Sequence, residues 1–263
     1  MSRHLQGMPG RFSISPAAWV LTGAAAAVLA AAAPAAAQPG PVTLGEALDG
    51  RRAGATAFPT VARYTAGEQA FVLEQRGGQA MLRFEGSDEI WVLRPQTGPR
   101  GDLIWRNDAG RTVIMASRLG GMTVFTPTAP GGAPAEFASA AQGFQLPTIS
   151  PQALMRLLVE ASVRASQAVR HAVYFEGPLD IRPGEEPVLA DAALIASRGI
   201  ARAAGSRRPP PATQRLRWVR LSRGANVGAA MANDTMTVTV NPARGAAGRP
   251  SSDKIYQALA TAR

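Results

Sequence analysis

The residues that could carry out chemistry in this chain are arginines and carboxylates, because cysteine is missing and histidine is scarce. The 263-residue sequence contains no Cys and two His, His4 and His171. His4 falls in a predicted leader, so His171 is left as the one imidazole of the mature chain. This composition excludes a Cys/His zinc site and thiolate catalysis, and no serine-hydrolase motif is present. We expect no metal and no cofactor, and the sequence leans against an enzyme.

The first candidate site is a basic stretch in the second half of the chain. Residues 38–150 contain 10 basic and 10 acidic side chains, whereas residues 151–263 contain 16 basic and 8 acidic ones. Residues 198–223 carry eight arginines and no acid. In a predicted strand, residues 214–222, Arg215 and Arg217 would share one face and Arg220 would lie on the other. Arginine suits bidentate contact with phosphate or carboxylate groups. The same pattern is explained by a strand at the edge of a sheet whose charges keep the protein soluble, or by a coding bias towards arginine.

A second candidate anion site lies near the carboxyl end. Residues 241–254 lead from a strand through a glycine-rich loop to a capped helix, a layout that presents backbone N–H groups to an anion. Helix capping and turn formation alone also account for these residues. The predicted anion-binding residues of the two sites are Arg215, Arg217, Arg220, Arg244, Arg249, Ser251, Ser252 and Lys254.

Carboxylates provide an alternative, because a pair of them can hydrolyse a glycosidic bond without histidine. Glu85, Asp88 and Glu89 surround one predicted hairpin turn, and Glu185 and Glu186 lie in another. Acidic residues are common in turns for conformational reasons, so these positions also fit solvated turns. A glycan or peptidoglycan hydrolase remains an alternative function.

Short alternating strands are predicted over residues 59–127. Turn residues rich in Gly, Asn, Asp and Pro separate the runs 69–75, 79–85, 89–94, 102–106, 111–117 and 122–126. Connections this short allow only antiparallel neighbours. The sequence therefore predicts an antiparallel β-meander of six or seven short strands.

The second half predicts an α-β-α-β-β-α unit over residues 150–263, which makes the fold class α+β. A Pro/Gly/Ala-rich stretch, residues 128–149, separates the halves as a linker that cannot continue a sheet. The predicted helices span residues 150–172, 187–204 and 251 or 252 to 262, and the predicted strands span 172–176, 214–222 and 235–240.

The amino terminus reads as a secretory signal. Arg3 and Arg11 precede an almost unbroken apolar run, residues 17–33, and Ala35-Ala36-Ala37 matches a small-x-small cleavage pattern. We expect Sec-type export with cleavage after Ala37, followed by a flexible lead-in over residues 38–58. The alternative is a retained anchor. The predicted location is periplasmic or secreted, with no nucleic-acid partner and with membrane contact only through the signal before cleavage.

Two segments together resemble a known family: FEGSDEIWVLRP at residues 84–95 and AGRPSSDKI at residues 247–255. They resemble a family of secreted alphaproteobacterial proteins catalogued as a domain of unknown function, over most of residues 58–263. The resemblance implies a bacterial, envelope-directed protein and transfers no catalytic residue. The favoured function is a non-enzymatic exported protein that binds an anionic envelope component through its Arg-rich half. Besides the hydrolase, an envelope assembly or adhesion module using a free edge of the meander is a further alternative.

Overall fold

The computed structural model describes residues 60–117 and 121–262, which belong to one compact unit. Eight strands in these ranges form a closed antiparallel barrel in which each strand pairs with its sequence neighbour and the last pairs with the first. Its strands are β1 (Val61–Ala66), β2 (Gln69–Arg76), β3 (Gln79–Phe84), β4 (Trp91–Thr97), β5 (Leu103–Arg106), β6 (Thr112–Ala116), β7 (Met122–Val124) and β8 (Ala133–Ala140).

Alternation of side chains along the strands fills the interior of the barrel. Phe71, Leu82, Leu93, Trp105 and Ile114 are buried within one hydrophobic cluster. The antiparallel strand series of the first half is confirmed. Because β8 pairs with β1, however, the series closes into a barrel instead of remaining an open meander.

The eighth strand lies inside the stretch predicted to be a linker unable to continue a sheet, so that expectation is wrong for residues 133–140. This strand is rich in alanine, mostly exposed, and contains Pro134. Its own residues favour a strand weakly. Pairing with β7 on one side and β1 on the other satisfies its backbone, and this tertiary gain outweighs the weak local preference.

The second half is a four-stranded sheet with helices packed on one face. Its strands are β9 (Tyr174–Glu176), β10 (Trp218–Arg223), β11 (Gly228–Ala232) and β12 (Thr235–Val240). Its helices are α1 (Pro151–Val169), α2 (Glu186–Ala204), α3 (Ala212–Arg215) and α4 (Ser252–Thr261). The sheet order is β11-β12-β10-β9, with β10 parallel to both neighbours and β11 antiparallel to β12. The α+β class is confirmed.

Two local predictions in this half are wrong. Residues 214–222 do not form one strand, because three prolines at 209–211 lead into the short helix α3 and β10 begins only at Trp218. Arg215 and Arg217 therefore do not share a strand face. The sequence also missed β11, whose Gly and Ala residues have low strand propensity and which turns into β12 through Asn233 in a left-handed conformation (φ 54°).

The predicted signal segment and lead-in, residues 1–58, lie outside the described residues. Within the described ranges, none of the helices combines the length and hydrophobicity needed to cross a bilayer.

Candidate functional site

The loops at one end of the barrel hold the amino terminus of α4. Loop 84–91 joins β3 to β4, loop 106–112 joins β5 to β6, and alternate connections of an antiparallel series lie at the same end. Glu89 accepts hydrogen bonds from the backbone nitrogen of Ser252 at 2.7 Å and from its hydroxyl at 2.8 Å. Asp108 does the same for Ser251, accepting from the nitrogen at 2.8 Å and from the hydroxyl.

These contacts show what the predicted helix-terminus anion site holds. The backbone N–H groups of an α-helix amino terminus attract negative charge. In this protein, the charge comes from two carboxylates of the barrel. Ser251 and Ser252 are buried against them, while the Ser251 hydroxyl also caps α4 by accepting from the nitrogen of Lys254. The barrel thus supplies the anions for this helix end from within the chain.

Asp253 follows directly, and its buried carboxylate is the centre of a charge cluster. Its Oδ2 accepts from Asn107 Nδ2 at 2.7 Å and from Arg111 Nη1 at 2.8 Å, and its Oδ1 pairs with Arg202 Nη2 at 2.6 Å. The Asn107 amide is oriented for this role, because its Oδ1 accepts from the nitrogens of Ala109 and Arg111 and leaves Nδ2 to donate. Each oxygen of one buried carboxylate therefore engages a different guanidinium.

A cleft of about 510 Å³ opens beside this cluster, between the barrel loops and helices α2 and α4. The side chains of Arg111 and Arg202 are 49% and 43% exposed, although that of Asp253 is only 4% exposed. The Arg111 guanidinium lies over the Trp91 ring and that of Arg202 over the Tyr256 ring, with centroid distances of 6.0 and 5.4 Å. The residues lining the cleft are Ala109, Arg111, Pro127, Arg202, Asp253, Tyr256, Gln257 and Ala260.

Arg249 joins the halves at a second place. Its side chain is fully buried, donates from Nε to Asp191 Oδ2 at 2.6 Å and donates from Nη1 to the carbonyl of Ile90 at 2.7 Å. Its Nη2 is buried without a hydrogen-bond partner in the described part of the chain. Met81, Ile90 and Ala246 form a small apolar cluster across the same contact. Arg249, predicted to bind an anion, is thus engaged inside the fold.

The other predicted anion-binding residues have separate sets of partners. Arg217 donates to the carbonyls of Gln214 and Leu216, and Arg220 Nε lies 3.2 Å from Glu176 on the neighbouring strand. Arg215 ends α3. Arg244 donates to Gln79 of the barrel at 2.7 Å, and Lys254 Nζ donates to Gln257, a lining residue of the cleft. The structure therefore distributes the eight residues over several places, and anion binding by them stays a prediction.

Acids from elsewhere in the chain pair with half of the arginines in the acid-free window 198–223. Arg198 pairs with Asp88 at 2.9 Å, Arg202 with Asp253, and Arg223 with both Asp180 and Glu185. The side-chain hydrogen bond from Arg223 lowers the pKa of Asp180 and raises that of the guanidinium. A run of like charge in the sequence thus becomes a set of ion pairs in the fold.

The carboxylates considered for hydrolysis have different partners from one another. Glu85 pairs with Arg63 at 2.5 Å, a hydrogen bond that lowers the pKa of the carboxyl, while Asp88 and Glu89 contact Arg198 and Ser252. In the other turn, Glu185 accepts from the Arg182 nitrogen and Glu186 from the Gly184 nitrogen.

The one histidine of the described residues is also engaged inside the fold. His171 Nε2 lies 2.7 Å from the carbonyl oxygen of Leu216. The described residues contain no cluster of acids and histidines suited to a metal.

Sequence reasoning missed the pair that defines the cleft. In the sequence, Arg202 lies in the basic window 198–223 and near the end of a predicted helix, and Arg111 begins a predicted strand. The two arginines are 91 positions apart in the sequence and meet because both bind Asp253. A single sequence contains no signal that joins loop 106–112 to the start of α4.

Fold and site together define an α+β protein in which loops at one end of an antiparallel barrel hydrogen-bond to the first turn of a helix, beside an arginine-lined cleft. A family model described as Domain of unknown function (DUF4908) matches residues 43–259, and the chain belongs to this family. The two segments that carried the resemblance, residues 84–95 and 247–255, meet in the Glu89–Ser252 contact. No curated protein and no solved structure matches the chain.

Proposed function

We propose that this chain is a non-enzymatic binding protein that holds a small anionic ligand of the cell envelope in the cleft. The observation that carries the proposal is the sharing of one buried carboxylate, Asp253, by two half-exposed guanidiniums, Arg111 and Arg202. Each guanidinium has five N–H donors in a planar fork, so donors remain for a ligand after Asp253 is satisfied.

The position of the cleft supports this use. Clefts between packed units are common ligand sites, and a volume of about 510 Å³ lies within the range of small-molecule pockets. The two arginines come from different halves of the fold, one from a barrel loop and one from α2. The surrounding contacts of Glu89, Asp108 and Asn107 fix both sides of the cleft, so little ordering is required when a ligand enters.

Export of the protein is part of the same proposal and is supported by the leader pattern in residues 1–37. A periplasmic or secreted protein meets anionic envelope components, and the proposal includes no nucleic-acid ligand. Amino-terminal sequencing of the protein from the periplasmic fraction tests the location. We expect Gln38 as the first residue; an intact leader in the cytoplasmic fraction would contradict export.

The test of binding uses 8-anilinonaphthalene-1-sulfonate, a singly charged aromatic anion whose fluorescence rises on binding. Arg111→Gln and Arg202→Gln, made separately, should each weaken its binding about tenfold, as expected for loss of a charge-assisted contact. The matched controls are Arg217→Gln and Arg220→Gln, which remove the same charge from the other predicted site.

Unchanged affinity in both cleft variants would reject the cleft as the site. Loss of affinity in the two control variants alone would instead assign binding to the β10 region. Circular dichroism of every variant verifies that its secondary structure is retained. The carboxylate-dependent hydrolase gains no support, because Glu85, Asp88 and Glu89 bind different partners. The adhesion module loses its basis in a free meander edge, since β1 to β8 close on themselves.

A further inference from the structure

We infer that the ligand of the cleft is a singly charged oxyanion carried on an apolar body, an inference that rests on the proposed function. The class includes medium-chain carboxylates and the phosphodiester headgroups of lipids. Charge, geometry and the composition of the cleft wall each support this choice.

The charge balance of the cleft favours one negative charge. Among the described residues that line it, Arg111 and Arg202 are positive and Asp253 is negative. The charged groups next to the lining already have partners in the fold: Asp108 and Glu89 bind Ser251 and Ser252, and Lys254 binds Gln257. The net charge that a ligand meets is thus taken as that of the lining residues. One positive charge is therefore left over. A monoanion neutralises it, whereas a dianion would leave excess negative charge beside the buried Asp253 carboxylate.

The geometry favours an oxyanion with at least two oxygens. Asp253 bridges the guanidiniums with one oxygen on each, at 2.8 Å from Arg111 and 2.6 Å from Arg202. Both guanidiniums are held in place by the aromatic rings beneath them, Trp91 and Tyr256. A second carboxylate or a phosphodiester can bridge the same two groups from the solvent side in the way that Asp253 does from the buried side.

The remaining wall favours an apolar body over a sugar. Ala109, Pro127 and Ala260 present no side-chain hydrogen-bonding group, and the side-chain oxygen of Gln257 already accepts from Lys254 at 3.0 Å. The side chains of Tyr256 and Gln257 add only one hydroxyl and one amide nitrogen to this wall. Most hydroxyls of a sugar would therefore lose water without a partner here, which costs about 1–3 kcal/mol for each unsatisfied group. An alkyl or acyl chain loses nothing by leaving water and gains from burial against these side chains.

Isothermal titration calorimetry at about pH 8 separates the possible ligands. The probes are octanoate, dihexanoylphosphatidylglycerol, octyl phosphate, acetate and octylammonium. We expect octanoate or the phosphodiester to bind at least about tenfold more tightly than acetate and than octyl phosphate, which is a dianion at this pH. Preference for octanoate would identify a free carboxylate as the source, and preference for the phosphodiester a lipid headgroup.

Ala260→Glu provides the matching variant, because residue 260 is an exposed helical position and the new side chain adds bulk and negative charge to the apolar wall. It should weaken binding of octanoate about tenfold or more, while Gln152→Glu on the exposed side of α1 should not. Equal binding of acetate and octanoate, or tighter binding of octyl phosphate, would overturn the inference. Failure of every anion, including the anilinonaphthalene sulfonate, would instead overturn the proposed function.

Discussion

The carboxylate of Glu89 accepts two hydrogen bonds from one residue, the buried Ser252 at the start of α4. Glu89 belongs to the barrel and Ser252 to the opposite half, 163 positions away. Through this pair, a helix terminus that looks in the sequence like a site for a foreign anion is satisfied by an anion of the same chain. The barrel loop and the helix therefore need each other for their polar groups to be paired.

Replacement of Glu89 by Gln should destabilise the protein by about 1.5–3 kcal/mol, the range for hydrogen bonds to a charged group. The amide keeps one acceptor oxygen, places an N–H₂ group against the other Ser252 donor and removes the charge at the helix terminus. Urea unfolding measures the loss. Glu136→Gln on the exposed face of β8 is the control and should change stability by less than about 0.5 kcal/mol. Equal effects of the two substitutions would contradict the assigned role of Glu89.

Substitution of Gly199 by Ala should separate α2 from α4. A Cβ at position 199 would lie 2.6 Å from the Cβ of Ile255 and 2.9 Å from the carbonyl oxygen of Ser252. If the helices cannot move apart, overpacking of this kind costs about 1–3 kcal/mol. This cost exceeds the gain of about 1 kcal/mol in helix propensity that alanine has over glycine. We expect a lower Tm in thermal unfolding, because both atoms that a new Cβ would meet, the Ile255 Cβ and the Ser252 carbonyl oxygen, stay fixed while α4 keeps its place. Gly131→Ala, in open space, is the control; a Tm raised by Gly199→Ala would show that the helices adjust freely.

The charge of Arg249 should be needed because the Asp191 carboxylate is mostly buried beside it. Arg249→Met leaves the mostly buried Asp191 carboxylate without its cation, which is expected to cost about 3–5 kcal/mol. The double variant Arg249→Met with Asp191→Asn removes both charges and should be clearly more stable than the single variant. Denaturant unfolding of the unmodified protein, Arg249→Met, Asp191→Asn and the double variant measures the difference. A double variant that loses the sum of the two single losses would show that the pair does not interact.

Acid should weaken the pairing of Arg223 with Asp180. The arginine lowers the folded-state pKa of Asp180 below its unfolded value of about 3.9. The stabilisation is therefore complete above the unfolded pKa and disappears as the pH falls through the folded pKa. We expect Asp180→Asn to reduce the loss of stability between about pH 4 and pH 2, measured by urea unfolding. Asp234→Asn in an exposed turn is the control, and an unchanged pH profile for Asp180→Asn would contradict the prediction.

Local sequence signals predicted the elements whose own residues favour them. The cap at Ser150 and the proline at 151 begin α1, Ser251 caps α4, and alternation of Thr with Met and Val defines β12. The alanine-rich β8 and β11 were missed because their stability comes from neighbouring strands. The cleft was missed for the same reason, since Asp253 joins residues that are adjacent only in the fold.

The affinity of Asp253→Asn for octanoate tests the cleft most directly. Asparagine keeps one acceptor oxygen for a guanidinium but removes the competing charge, so Arg111 and Arg202 become more available to a ligand. We predict a Kd about tenfold lower than that of the unmodified protein, together with lower stability, whereas Asp234→Asn should leave the Kd unchanged. An unchanged or higher Kd in a folded Asp253→Asn protein would contradict an anion site built on these two arginines.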